Sequence, residues 1–223
     1  IRAYATNNTG TAYGNEILFT TLPNDNIVYD IEGNAYDIIT IGTQDWMKQN
    51  LKATHYKNGT EIQQVTYYLT WADLNTGAYR WVWDENLNQQ TTSYGALYNW
   101  FTVNTGNLCP NGWHVPTDAE WTTLTTFLGG ESIAGGKLKE AGLMHWYSHN
   151  TAATNESGFT ALPAGYISFG GQAFQFGLYA FWWSSTEDDN QDAWLRYVGK
   201  DYINATRLNY DKNYGASVRC LRN

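Results

Sequence analysis

Positive charge is scarce in this chain. Its 223 residues hold 13 Lys+Arg against 21 Asp+Glu, a net charge of −8. An acidic chain repels phosphate backbones, which argues against a sequence-independent nucleic-acid partner. No run reaches the roughly 18 apolar residues of a membrane helix, so no such span is expected. Good helix formers are few, whereas Asn, Thr, Gly and Tyr abound. That balance points to strands and long ordered loops. Only two cysteines occur, Cys109 and Cys220. In a secreted chain they read as one disulfide closing a long loop, and otherwise as two buried thiols. Motifs for common chemistry are also missing: there is no nucleophile elbow, phosphate loop or HExxH. Paired acids for glycoside hydrolysis stay open, although nothing in the spacing sets two of them together. The chain begins at Ile1 rather than Met, which reads as a processed product or an excised piece.

Aromatic residues are plentiful, with 11 Trp and 17 Tyr. They carry large buried areas, so the core should be well supplied. Residues 1–22 read as two strands about a turn at Asn7-Asn8-Thr9-Gly10. Ile1, Ala3 and Ala5 alternate with polar neighbours in the first strand, and Ile17 and Phe19 in the second. A lone hairpin is marginal in water, so this pair should pack on the following domain or complete another chain's sheet. Residues 27–223 form the main domain. It opens on a hairpin about Glu32-Gly33-Asn34. Tyr94–Val103 reads as a short helix. Thr117 and Glu120 form a capping box ahead of a helix whose stripe is Trp121, Leu124, Phe127 and Leu128, stopped by Gly129-Gly130. A second short helix is expected over Lys137–Ala141. Short strands should follow at 159–166, 180–185, 193–198, 205–210 and 217–221.

An ordered set of motifs carries a resemblance. Trp46-Met47 and Asn50-Leu51 come first, then Tyr94-Gly95 with Leu97-Tyr98-Asn99-Trp100, and Cys109-Pro110 with Gly112-Trp113-His114-Val115-Pro116-Thr117. Glu120-Trp121, Gly136-Lys137-Leu138-Lys139, Asn155-Glu156-Ser157-Gly158-Phe159, Trp183-Ser184-Ser185-Thr186 and Val218-Arg219-Cys220 complete it. Over residues 27–223 this set resembles the Fibrobacter succinogenes major paralogous domain, a family of secreted or lipid-anchored bacterial surface proteins. The resemblance implies an extracellular or cell-surface location. Residues 1–22 resemble the last two strands of a fibronectin type III-like domain from Bacteroidetes-type surface proteins. Val115–Trp121 and the closing Val218-Arg219-Cys220 are more distantly similar to the formylglycine-generating enzymes. That likeness implies an α+β fold with C-type-lectin-like irregular mixed sheets and two or three short helices, here preceded by a β-hairpin. Catalytic members of that family need a cysteine pair near the C-terminus. Cys220 stands alone there, so the redox and copper chemistry does not carry over, and the chain is read as no enzyme.

Three side-chain groups remain as candidate sites. His145 and His149 in HWYSH could share a metal on a helix, but Gly142 and the polar run 148–154 argue against one. Glu187, Asp188, Asp189 and Asp192 suit calcium, which prefers oxygen ligands, or form a solvated acidic loop. Trp81, Trp83 and Trp182 could stack on sugar rings or simply belong to the core. Alternation in a strand would bury one of Trp182 and Trp183 and expose the other. Two functions are thus expected: a filament subunit joining identical subunits head to tail through Ile1, Ala3, Ala5, Ile17 and Phe19, or a glycan-binding adhesin module.

Overall fold

Asp30 shapes the first turn of the main body. Its carboxylate accepts the backbone N–H groups of Glu32 and Asn34 at 3.0 and 2.9 Å, and the Tyr36 hydroxyl at 2.6 Å. Such side-chain bonds set a turn locally and leave a strand on either side. Gly33 supplies the φ of +81° that closes it. The computed structural model describes residues 3–14, 26–84 and 89–223.

Ahead of the body, β1 (Tyr4–Asn7) and β2 (Gly10–Tyr13) pair antiparallel in a sheet of their own. The turn falls at Asn8-Thr9, as expected, and all described residues of the segment are exposed, so the hairpin does not pack on the body. Ala3 and Ala5 lie in it. Ile1, Ile17 and Phe19 lie outside the described residues. The body begins with β3 (Ile27–Tyr29), β4 (Ala35–Ile41), β5 (Gln44–Met47), β6 (Gln63–Gln64) and helix α1 (Tyr68–Ala72). The hairpin of β7 (Ala78–Asp84) and β8 (Gln89–Asn99) leads into α2 (Trp100–Val103) and β9 (Trp113–His114). Helices α3 (Asp118–Phe127) and α4 (Glu131–Leu138) follow, then the short β10 (Tyr166–Ile167) and β11 (Ala173–Phe174). A meander of β12 (Tyr179–Glu187), β13 (Asp192–Gly199) and β14 (Ala205–Asp211) precedes β15 (Gly215–Ala216) and β16 (Leu221–Arg222). Strands dominate and the helices are short.

These strands form three sheets in the body, ordered β3-β4-β5-β16-β9, β11-β10-β15-β8-β7-β6 and β12-β13-β14. The last strand, β16, enters the first sheet between β5 and β9, pairing Leu221 with both Trp46 and His114. Both ends of the body are thereby held in one sheet. Cys109 and Cys220 form a disulfide with their Cα atoms 6.0 Å apart, resolving the two readings of the pair. The tryptophans explain their abundance by packing. Trp46, Trp121, Phe159 and Trp182, from separate parts of the chain, meet in one cluster with centroids 4.8–6.0 Å apart, the tilted and edge-on spacing that ring quadrupoles favour.

Several local expectations hold and several change. The capping box is present: the Thr117 hydroxyl accepts from the Glu120 N–H at 3.2 Å, and the Glu120 carboxylate accepts from the Thr117 N–H at 2.7 Å. Within α3, however, Phe127 is 63% exposed, and Thr125 is buried beside Trp121 and Leu124. Residues 94–103 are mostly strand, with helix only from Trp100. From Tyr94 to Asn99, strand β8 lies between β7 and β15 and is buried on both faces, so its apolar run lacks the alternation that marks a strand. Helix α4 starts at Glu131 and ends before Ala141. Gly135 and Gly136 sit inside it because other backbones press against them; a Cβ would lie 2.1 Å from the Asn204 carbonyl oxygen and 2.6 Å from that of Ala152. Residues 159–165 and 217–220 make only isolated bridges, such as Lys139 with Ala161 and Trp182 with Ser217, rather than strands.

One ion cluster fixes α3 against the meander. Asp118, in its first turn, meets Arg196 on β13 at 2.6 Å and Arg207 on β14 at 3.0 Å. Burial alone would raise the Asp118 pKa; the hydrogen bonds and charges of Arg207 and Arg196 outweigh it and hold the carboxyl below its ordinary 3.8. A depressed folded-state pKa contributes stability that is present above the unfolded value and is lost as pH falls through the folded one. The Asp118→Asn variant should therefore be less stable than the parent at neutral pH, with the gap closing below about pH 4. Urea midpoints measured across this range check it; a gap that persists unchanged in acid would contradict it.

Candidate binding groove

A groove of about 340 Å³ opens beside β7, within the size range of small-ligand sites. Its apolar lining includes Val82, Leu97 and Ile167 from the six-stranded sheet, together with Phe176. Tyr67, Tyr68 and Phe174 border it, each more than two-fifths exposed. The Tyr67 and Tyr68 rings lie 5.1 Å apart, at the start of α1. Phe174 also meets Tyr166 in a tilted contact, with centroids 5.8 Å apart, and from there a belt of rings runs through Tyr214 and Tyr210 to Phe181 and Tyr179.

Arg80 is the cation of the groove. It is half-buried, and its Nη1 donates to the Gly171 carbonyl at 3.0 Å. Among the described residues no carboxylate lies within ion-pair distance of it, and burial draws its pKa below the ordinary value. Gly171 is held tightly. Its φ is +79°, and a Cβ there would lie 2.1 Å from the Tyr68 carbonyl oxygen. The loop 168–172 therefore abuts α1, and Arg80 and Gln172 share the groove with Tyr68.

The candidate residues read from sequence divide in a way that strand geometry explains. Trp81 and Trp83 border the groove. Alternation along β7 turns their rings away from the face of Arg80 and Val82, and Trp81 packs edge-on against Tyr79 in a separate core cluster. Trp83 is 42% exposed. Trp182 and Trp183 are both buried, contrary to the expectation that one would be exposed, because β12 is covered on both faces. Their indole N–H groups donate to Asn50 Oδ1 and to the Tyr98 carbonyl. Trp182 is thus no sugar platform. Arg80, Gln172 and Phe174 went unnoticed in the sequence. Only a β-alternation drawn through Tyr79-Arg80-Trp81-Val82 would have separated Arg80 from its tryptophan neighbours.

The acidic loop holds an ammonium group. Lys212 Nζ donates to the Glu187 carboxylate and to the carbonyls of Asp189 and Asn190 at 2.8 and 2.9 Å. Asp188 accepts from Asn209 at 2.6 Å, and Asp189 from the N–H groups of Gln191 and Asp192. Burial, then the nearby Asp189, Asp211 and Asp188, raises the Asp192 pKa. Three of the carboxylates, those of Glu187, Asp188 and Asp189, are turned to separate partners. His145 bonds Glu140 at 2.9 Å in a non-helical segment, and His149 is not its helical neighbour. Among the described residues no three His, Cys, Asp or Glu side chains are grouped to hold a metal ion, and no helix is long and apolar enough to cross a membrane.

No curated protein and no solved structure matches the chain. A protein-family match covers residues 39–222 and carries the description Fibrobacter succinogenes major domain. It runs from within β4 to β16 and takes in the disulfide and the groove, and the chain belongs to that family.

Proposed function

We propose that this chain is a non-catalytic structural and adhesive module of a bacterial surface, joined to identical neighbours through its N-terminal hairpin. The state of that hairpin carries the reading. Every residue of β1 and β2 is exposed, Tyr4 at 72% and Tyr13 at 59%, and the two strands share no sheet with the body. A two-stranded ribbon is marginal alone, and its edges offer unpaired N–H and C=O groups. Addition to an open sheet edge of a second copy satisfies both. A head-to-tail contact that does not close then builds a filament. The disulfide favours an oxidising, extracellular setting. The irregular mixed sheets, with β16 drawn in beside β5, fit a lectin-like architecture.

Electron microscopy and sedimentation of the chain test this. Filaments or extended oligomers are expected, and a Thr6→Pro/Thr11→Pro variant should be monomeric because proline there removes an outward-facing donor from each edge of the hairpin. An unmodified chain that stays monomeric at high concentration rules the reading out. The aromatic border of the groove supports a second activity on the same surface, saccharide binding, since exposed ring faces stack on sugars.

A further inference from the structure

We propose that the groove beside Arg80 binds a carboxylated saccharide, a uronic-acid unit whose carboxylate meets the guanidinium and whose ring lies against Tyr68 and Phe174. This rests on the saccharide reading and narrows it. The guanidinium carries five N–H donors, and its hydrogen bond from Nη1 to the Gly171 carbonyl uses one of them. With Nη1 held there, the edge formed by Nε and Nη2 is a fork matched to the two oxygens of a carboxylate. Sheet, helix and loop all shield that cation, and none of the described residues supplies its counter-charge. A ligand carboxylate replaces the lost hydration, which a neutral sugar cannot do.

The other features of the groove suit the rest of such a unit. Tyr67, Tyr68 and Phe174 give ring faces for the sugar C–H groups, and the Gln172 amide gives both a donor and an acceptor for hydroxyls. The ring contacts that leave Phe174 run on through the half-buried Tyr166 to Tyr214, beyond the groove. A single cation in a chain of net charge −8 selects one carboxylate rather than a dense polyphosphate.

Nuclear magnetic resonance titration of the labelled chain is the test. The probes are oligomers of galacturonate, guluronate and glucuronate, the methyl ester of the galacturonate oligomer, a sulfated oligosaccharide and a neutral cello-oligomer. At least one uronate should shift the amides of Tyr68, Gly171 and Phe174, and should bind about tenfold more tightly than a neutral counterpart. Arg80→Gln should erase that preference while leaving amides of the buried core unshifted. Tyr68→Ala should weaken acid and ester alike. Equal binding of acid and ester overturns the role of Arg80 and leaves saccharide binding standing. Preference for the sulfated probe overturns the carboxylate assignment. Absence of binding by every saccharide overturns both.

Discussion

Asn50→Leu should destabilise the chain by about 4 kcal/mol, the cost of stranding a buried charge and several polar groups. Arg219 is fully buried, and among the described residues no carboxylate pairs with it. Its Nε and Nη2 donate to Asn50 Oδ1 at 3.2 and 2.9 Å, and Nη1 donates to the Phe159 carbonyl. Burial pulls its pKa down to about 9, so it remains charged at neutral pH. The guanidinium lies 3.9 Å from the Phe159 ring centroid. Asn50 Oδ1 also accepts the Trp182 indole N–H at 2.9 Å, and its Nδ2 donates to the Tyr94 carbonyl and the Ser217 hydroxyl at 2.9 and 3.2 Å. Leucine removes all of these partners at once and keeps the branched outline of the side chain, with some added volume. Arg219→Met, by contrast, removes the charge along with its need for a partner and should cost less. The two changes should be strongly non-additive, with the double variant falling between Arg219→Met and Asn50→Leu, because Trp182, Tyr94 and Ser217 still lose their bonds to the amide. Urea unfolding of the four proteins reads this directly. A loss below about 1 kcal/mol in Asn50→Leu would mean that the amide is not the hub described.

This hub shows what the sequence could and could not convey. Asn50, Tyr94, Phe159, Arg219 and Cys220 stand in motifs scattered along the chain, and the structure brings them together around one buried guanidinium and one disulfide. The motifs could be seen, but their convergence could not, because no local period links residues separated by 169 positions. Local chemistry was more legible. The Asp30 turn and the Thr117–Glu120 capping box depend on bonds within a few residues, and both appear where expected. Buried charge misled the reading most. The acidic loop, read as suiting calcium or as solvated, takes the distant Lys212 ammonium as its cation. Lys139 is likewise buried, capped by the carbonyls of Thr151, Gly199 and Tyr202. Glycine misled in another way. Gly135 and Gly136 act as places of close approach, and the second helix runs through them from Glu131 instead of beginning at Lys137.

Removing the disulfide through Cys109→Ser/Cys220→Ser should cost about 4–5 kcal/mol, since the bridge spans 111 positions and long loops lose the most entropy on closure. Cys220 precedes β16, and its carbonyl accepts the Met47 N–H at 3.1 Å, so the bridge also secures the strand that joins both ends of the body. Two signatures separate this effect from simple loss of packing. The urea dependence should steepen, because an unbridged denatured chain exposes more surface. Hydrogen exchange should quicken first at Leu221 and Trp113, where β16 meets β9. An unchanged urea midpoint and slope in the serine variant would show that contacts around Arg219 suffice without the bridge. A chain lacking both devices would lose roughly 8 kcal/mol, comparable with the whole stability of an ordinary domain. The variant that combines Asn50→Leu with the two serines should accordingly fail to fold, whereas each change alone leaves a folded protein.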